Sequence, residues 1–180
     1  LPLPGVELRL TADGAEVPPG EVGVIEVRGP NVFLGYWQMP DKTAEDLRPD
    51  GWFITGDLGR RDPDGYLRIV GRAKDLIISG GYNVYPREVE DALLAQEEIA
   101  EAVVFGLPHP DLGQAVTAAV APRPGAAPVE AAIIAAARAR LAGYKTPKRV
   151  LVLPALPRNA MGKVDRKALR AAHHTLYAAG

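Results

Sequence analysis

Lys163 closes the run Pro157-Arg158-Asn159-Ala160-Met161-Gly162-Lys163, directly after a glycine and just ahead of a segment that reads as a helix. Its ammonium can stabilise negative charge developing on nearby oxygens. Asp57, in Thr55-Gly56-Asp57, offers two acceptor oxygens that can take hydrogen bonds from both hydroxyls of a ribose. Gly56 would let such a ligand approach the backbone. Arg72 follows Gly71, and its planar guanidinium can reach ribose or phosphate oxygens in a fixed geometry. The residues alone leave a plainer alternative open at each position. Lys163 can be an exposed lysine near a helix start, Asp57 a turn aspartate capping a hairpin, and Arg72 half of a surface salt bridge.

Ser79-Gly80-Gly81-Tyr82-Asn83 looks at first like a phosphate loop, but it lacks the spacing and lysine of a P-loop and opens no helix. Paired glycines between a strand and its return fit either a tight β-turn or a backbone that a slender ligand can approach. Other polar candidates read more plainly. His109 lies in a Pro-rich connection and reads as a solvated loop histidine. His173 and His174 have no Cys or acid cluster at ligand spacing, so no protein metal site is expected. Arg158 and Arg166 could meet a ligand phosphate but read first as solvated surface residues, and Trp37 and Trp52 read as groups that pack or line a subdomain edge.

Composition sets the bounds. With 180 residues, 47% hydrophobic and 24% charged, the chain has apolar mass for one or two modest cores. A formal net charge of -1 gives no field for capturing nucleic acid or an anionic membrane. The absence of cysteine excludes disulfides, thiolate zinc sites and cysteine nucleophiles. It fits a reducing compartment, and a cytoplasmic location is expected. Apolar stretches are broken by Pro, Gly or charge before they could span a bilayer. The chain begins at Leu1, without Met or a leader, inside what reads as a strand-rich region, so a preceding portion is expected.

The elements that must hold these residues fall into two textures. Val6 to Tyr66 shows short alternating runs divided by turn clusters, with Asp62-Pro63-Asp64-Gly65 as a hairpin turn. A β-rich, barrel-like subdomain is the simplest account. After Gly71 the pattern changes. A Pro86-opened segment with Glu88, Glu90 and Asp91 near its start predicts a helix. The runs Glu101–Leu107 and Ala115–Pro122 predict strands, and an Ala-rich helix follows from about Val129 to Leu141. A strand at Val150–Leu153 and a helix near Asp165 to His173 close the order. The expected fold is α+β, with residues 1–73 as the β-rich part, residues 74–180 as a small α+β domain, and the boundary at Gly71 to Lys74.

The ordered motifs GEVGVIEVRGPNVFLGYW, GWFITGDLG, GRAKDLIISGGYNVYPREVE and LPRNAMGKVDR resemble the C-terminal core of the adenylate-forming superfamily, from about Gly20 to the end. That superfamily comprises acyl-CoA synthetases, adenylation domains of peptide synthetases, and luciferases. The resemblance implies a β-rich C-terminal subdomain of a large N-terminal domain, followed by a mobile lid. It implies that Asp57 and Arg72 bind the nucleotide and that Lys163 also binds it and is catalytic, at the α-phosphate during carboxylate activation. Lys74 falls at the superfamily's hinge, and Gly80, Gly81 and Tyr82 at the wall of its pantetheine tunnel. Gln114 departs from the family, where Glu often stands, which leaves a carried-over role there in doubt.

The substrates implied are a small carboxylic acid, ATP with Mg2+ carried by the nucleotide, and coenzyme A. The runs after Gly71 look most like malonyl-CoA or methylmalonyl-CoA synthetases within the broader acyl-CoA synthetase group, with fatty or aryl acyl-CoA ligases, and so a place in fatty acid metabolism, as open alternatives. A domain loading a carrier-protein phosphopantetheine, and a non-catalytic lid-fold binding domain, are the alternatives. The superfamily's ATP loop, adenine-contacting motif and acyl pocket do not occur in these residues. The chain by itself is therefore expected to be inactive in adenylation and to need an N-terminal domain.

Overall fold

The computed structural model describes residues 2–178 and divides into two compact units, Leu1–Lys74 and Asp75–Gly180. The first unit is a five-stranded antiparallel sheet. Its strands are β1 (Glu7–Ala12), β2 (Ala15–Glu16), β3 (Val22–Arg28), β4 (Phe53–Arg61) and β5 (Leu67–Arg72), in the order β2-β1-β3-β4-β5. The Asp62–Gly65 turn joins β4 to β5 as its sequence requires. Gly65 takes φ +85°, and Asp62 Oδ1 accepts from the Tyr66 N–H at 2.8 Å.

One element departs from the strand-and-turn reading of this region. Helix α1 (Pro40–Asp46) interrupts it, with Pro at its start and no buried residue. With no apolar face, it carries no helical periodicity in the sequence.

The second unit begins with a short 3-10 turn shared across the boundary (Ala73–Asp75) and a hairpin of β6 (Ile77–Ser79) and β7 (Tyr82–Val84). Helix α2 (Pro86–Leu94), strands β8 (Ile99–His109) and β9 (Gly113–Pro122), helix α3 (Glu130–Arg138), strand β10 (Arg149–Val152) and helix α4 (Arg166–Ala172) follow. Strand β9 is the hub. It pairs along its length with β8, in parallel with β10 over Thr117–Val120, and with β6 at Gly113.

Both faces of this sheet are covered, which explains the unbroken apolar runs of β8 and β9. Val104, Val116, Ala118 and Val120 pack with Val89 and Leu93 of α2 and Ile133 and Ala137 of α3. The alternate positions Val103, Phe105, Leu107, Ala119 and Ala121 pack with Leu156, in the segment after β10, and with Leu169 of α4. Each fully buried Leu or Ile of this kind contributes about 1.5–3 kcal/mol of transfer free energy. The α+β class expected from the sequence is the one observed. No helix among the described residues is long and apolar enough to cross a membrane.

Candidate functional site

Asp57 sits within β4 rather than in a turn, and a local irregularity of the strand aims it. Between the pairs Val24↔Leu58 and Glu26↔Ile54, β4 advances four residues while β3 advances two. The excess is a bulge at Thr55-Gly56-Asp57. Gly56 takes φ +73°, a conformation costly for any residue with a Cβ. Thr55 holds the distortion, its hydroxyl donating to the Ile25 carbonyl at 2.9 Å and accepting from the Asp57 N–H at 3.1 Å. On the neighbouring strand Arg72 is the register partner of Asp57, with Nε 2.7 Å from Asp57 Oδ1. Arg72 Nη1 also donates to the Thr55 carbonyl at 3.4 Å. The first unit therefore brings two of the named residues together as an acceptor–donor pair on adjacent strands.

The frame around this pair has no local sequence signature, because its polar partners lie far apart in the chain. Glu26, on β3, is 0% exposed. It accepts from Arg9 Nε at 2.8 Å, Arg48 Nη2 at 2.7 Å and Thr11 Oγ1 at 3.0 Å. Burial pushes its pKa up, but the hydrogen bonds from Arg48, Arg9 and Thr11 together outweigh it and hold the carboxyl below its usual range. Trp52 is buried, with the Arg9 and Arg28 guanidinium carbons 4.2 and 4.7 Å from its ring centroid, while Trp37 is exposed. Lys74 lies in the 3-10 turn at the unit boundary and is exposed.

In the second unit Lys163 lies on an ordered loop before α4. Asn159 organises that loop: its Oδ1 accepts from the Met161 and Lys163 N–H groups, both at 3.0 Å. Its own N–H donates to the Lys163 carbonyl at 2.8 Å, and its carbonyl accepts from Gly162 N–H at 2.9 Å. Gly162 takes φ +76° to close the turn. Arg158, which read as a solvated surface residue, is a brace. Nη1 donates to the Gly162 carbonyl at 2.9 Å, and Nη2 pairs with Glu101 of β8 at 2.6 Å. Asp165 caps α4, accepting from Ala168 N–H at 2.9 Å. The Lys163 side chain is exposed, and its ammonium makes no hydrogen bond or ion pair with the described residues.

Gly80 and Gly81 form the β6–β7 turn with φ +57° and +82°, the two positive values that a two-residue type I′ hairpin needs. Tyr82 stacks on Tyr144 with centroids 4.7 Å apart. Beside it Lys145 Nζ pairs with Glu88 at 2.7 and 2.8 Å. Burial pulls the Lys145 pKa down, but Glu88 more than offsets this and raises it. Tyr144 and Lys145 have no local sequence signature, because their partners Tyr82 and Glu88 lie far along the chain. Gln114 accepts from the Ile78 N–H at 3.2 Å, a latch between β9 and β6. No hydrogen bond or ion pair among the described residues joins this turn to the Lys163 loop.

Two plain readings are corrected. His109 is not in a loop but ends β8, with its ring 5.3 Å from the Tyr177 ring and its Nδ1 accepting from the Asp111 N–H at 3.2 Å. Arg166 is half-buried, with Nη2 2.7 Å from Glu90 Oε1.

Comparison with known proteins gives the class of this arrangement. Residues 88–163 match the AMP-binding enzyme C-terminal domain. These residues carry that C-terminal domain, and over nearly its whole length the chain is similar to part of larger CoA ligases. It is similar to the 2-succinylbenzoate–CoA ligase of Geobacillus kaustophilus, 48% identical over 169 residues, which covers 94% of this chain and 34% of that protein. A long-chain-fatty-acid–CoA ligase of Salmonella typhimurium is 44% identical over 171 residues, covering 94% of this chain and 30% of the relative. Among solved structures, ATP-bound MatB from Rhodopseudomonas palustris matches with a TM-score of 0.90 and 48% identity, over 97% of this chain and 35% of that one. The chain spans about a third of the length of the curated relatives it matches.

Proposed function

We propose that this chain is the C-terminal third of an AMP-forming acid–thiol ligase and that Lys163 is its catalytic cation. In the first step a carboxylate oxygen attacks the α-phosphorus of ATP, forming the acyl–phosphate bond while the bond to the β-phosphate breaks and pyrophosphate leaves. In the second, the coenzyme A thiol attacks the acyl carbon, AMP leaves and the thiol proton is released. Lys163 acts on the first step, where charge spreads over oxygens of both reactants and an ammonium lowers the barrier electrostatically. Asp57 accepts from the ribose hydroxyls, and Arg72 lies beside it for ribose or phosphate oxygens. Mg2+ arrives with ATP. Residues 74–180 act as a lid that turns about Lys74 between the steps, bringing the Gly80-Gly81-Tyr82 turn to the pantetheine arm for the second.

The observation that carries this reading is an exposed ammonium without an ion-pair partner among the described residues, held on a loop whose backbone is locked by Asn159. A surface lysine with no task needs no such order. The acid is proposed to be malonate or methylmalonate, supported by the likeness of the motif runs and by similarity to MatB. The relatives named above act on differing acids, and this region does not contain the acyl pocket.

The test is pyrophosphate release by the full-length protein with malonate, methylmalonate, acetate, octanoate and benzoate, each with ATP and Mg2+. Release with malonate or methylmalonate supports the reading in full, and release with another acid moves the substrate. No release with any carboxylate sinks the ligase reading.

A further inference from the structure

A polar cluster joins three elements of the second unit where the Lys163 loop becomes a helix. Arg166 is the first residue of α4. Its Nη2 lies 2.7 Å from Glu90 Oε1, on α2, and its Nη1 lies 3.9 Å from Asp75 Oδ2. One turn along α4, Arg170 Nη2 lies 3.6 Å from Asp75 Oδ1. Glu90 is only 6% exposed, and its Oε1 also accepts from the Val104 N–H at 2.9 Å, which ties the carboxylate to β8. Arg166 Nε is buried and has no hydrogen-bond partner among the described residues.

Such a cluster is a poor source of stability. Desolvation offsets much of the attraction between buried charges, and an orphaned polar atom adds to the cost. Its specific property is placement. One planar guanidinium faces acids on two other segments, and it belongs to the residue that starts α4, just beyond the Lys163 loop. One of those acids, Asp75, directly follows Lys74 in the chain. At the other end of the loop Arg158 pairs with Glu101 of β8. The loop is therefore pinned at both ends.

We propose that Arg166 is a positioning residue for the adenylation step: through Glu90 and Asp75 it fixes where the Lys163 ammonium stands relative to the segment that leaves the hinge. This rests on the reading of Lys163 given above. Arg166 touches neither substrate nor nucleotide in this role. Loss of the cluster moves Lys163 and impairs the half-reaction that Lys163 serves, while the thiol-transfer half-reaction is spared.

The experiment measures both half-reactions in the full-length protein carrying Arg166→Gln, Glu90→Gln, Lys163→Ala or the double substitution Lys163→Ala/Arg166→Gln. The probes are ATP with malonate, or the acid of the panel above giving most pyrophosphate, and the corresponding synthetic acyl-adenylate with coenzyme A. Displacing a catalytic group by an ångström costs about a hundredfold. Arg166→Gln is expected to slow adenylation by up to about that factor, Glu90→Gln to follow it, and thioester formation from supplied acyl-adenylate to stay near the unsubstituted rate. The double variant should adenylate no more slowly than Lys163→Ala alone, because a group that acts through Lys163 has nothing left to position. Should Arg166→Gln fail to fold, Arg166→Lys, which keeps the charge and can reach one acid, decides the matter by the same comparison of half-reactions. Equal loss in both half-reactions, or a double variant slowed by the product of the single effects, overturns the proposal. Normal adenylation by Lys163→Ala removes this inference together with the reading beneath it. A crippled Lys163→Ala beside a fully active Arg166→Gln removes this inference alone.

Discussion

Asp57 lies inside a strand, partly buried and ion-paired to Arg72 at 2.7 Å, whereas Lys163 lies on an exposed loop with no ion pair among the described residues. The fold gives order to each by a different route. At Asp57 a bulge in β4 and a register partner on β5 fix the side chain itself. At Lys163 the backbone is fixed by Asn159, and the long side chain has no ion pair among the described residues. The contrast follows from what each group is proposed to do. A group that binds the same ligand atoms throughout gains from being held in place beforehand. A cation that must meet charge as it develops would be partly neutralised by a resident carboxylate, so it is better left free on an ordered stalk.

The largest expected effect tests the free cation. Lys163→Ala should reduce pyrophosphate release by about 10²–10³-fold, the scale of removing one preorganised charge-stabilising donor, with thioester formation from supplied acyl-adenylate preserved. Its thermal midpoint should not change, because the side chain has no partner among the described residues to lose. Normal pyrophosphate release would refute the proposed role and erase the contrast. The paired site should respond differently. Asp57→Asn keeps the size but loses the charge facing Arg72 and one acceptor oxygen, so the KM for ATP should rise about ten- to a hundredfold, in line with a charged hydrogen bond. An unchanged KM would leave the Asp57–Arg72 pair with a structural role only. Smaller again is Asn159→Ala, which frees the Met161 and Lys163 N–H groups. Adenylation should fall about tenfold through lost order at Lys163, with little change in the KM for ATP.

How far these features could be read from sequence depended on how local their causes are. Helix α2 announced itself through Pro86 and Glu88, and β8 and β9 through continuous apolar runs, because those signals lie inside the elements they define. Helix α1 had a Pro-Asp start but no buried face to give it a period. Lys163 stood out through its Gly-Lys context, and the Asn159 turn that supports it has a local signature as well. The aim of Asp57 did not, because it depends on a register shift against β3. Arg166 read as a solvated residue because its partner Glu90 lies 76 positions away and no local pattern encodes the pair.

Glu26 gives the mildest prediction and separates the frame from the chemistry. It pairs in register with Ile54, at one end of the bulge that carries Asp57, and Arg9, Arg48 and Thr11 surround its carboxylate. Its folded pKa lies below the ordinary value of 4.5. Its contribution to stability is therefore complete above that value and lost as pH falls through the lower, folded one. Glu26→Gln should cost about 1–2 kcal/mol in urea unfolding at pH 7, a modest figure because Arg9 and Arg48 can regain water when their partner loses its charge. The same substitution should flatten the loss of stability on acidification below about pH 4.5. If Asp57 depends on its strand frame, the KM for ATP should rise slightly in Glu26→Gln, while adenylation at saturating ATP, which reports Lys163 on the other unit, should not move. A fall in that saturated rate would mean that Glu26 supports the catalytic step as well as its own sheet.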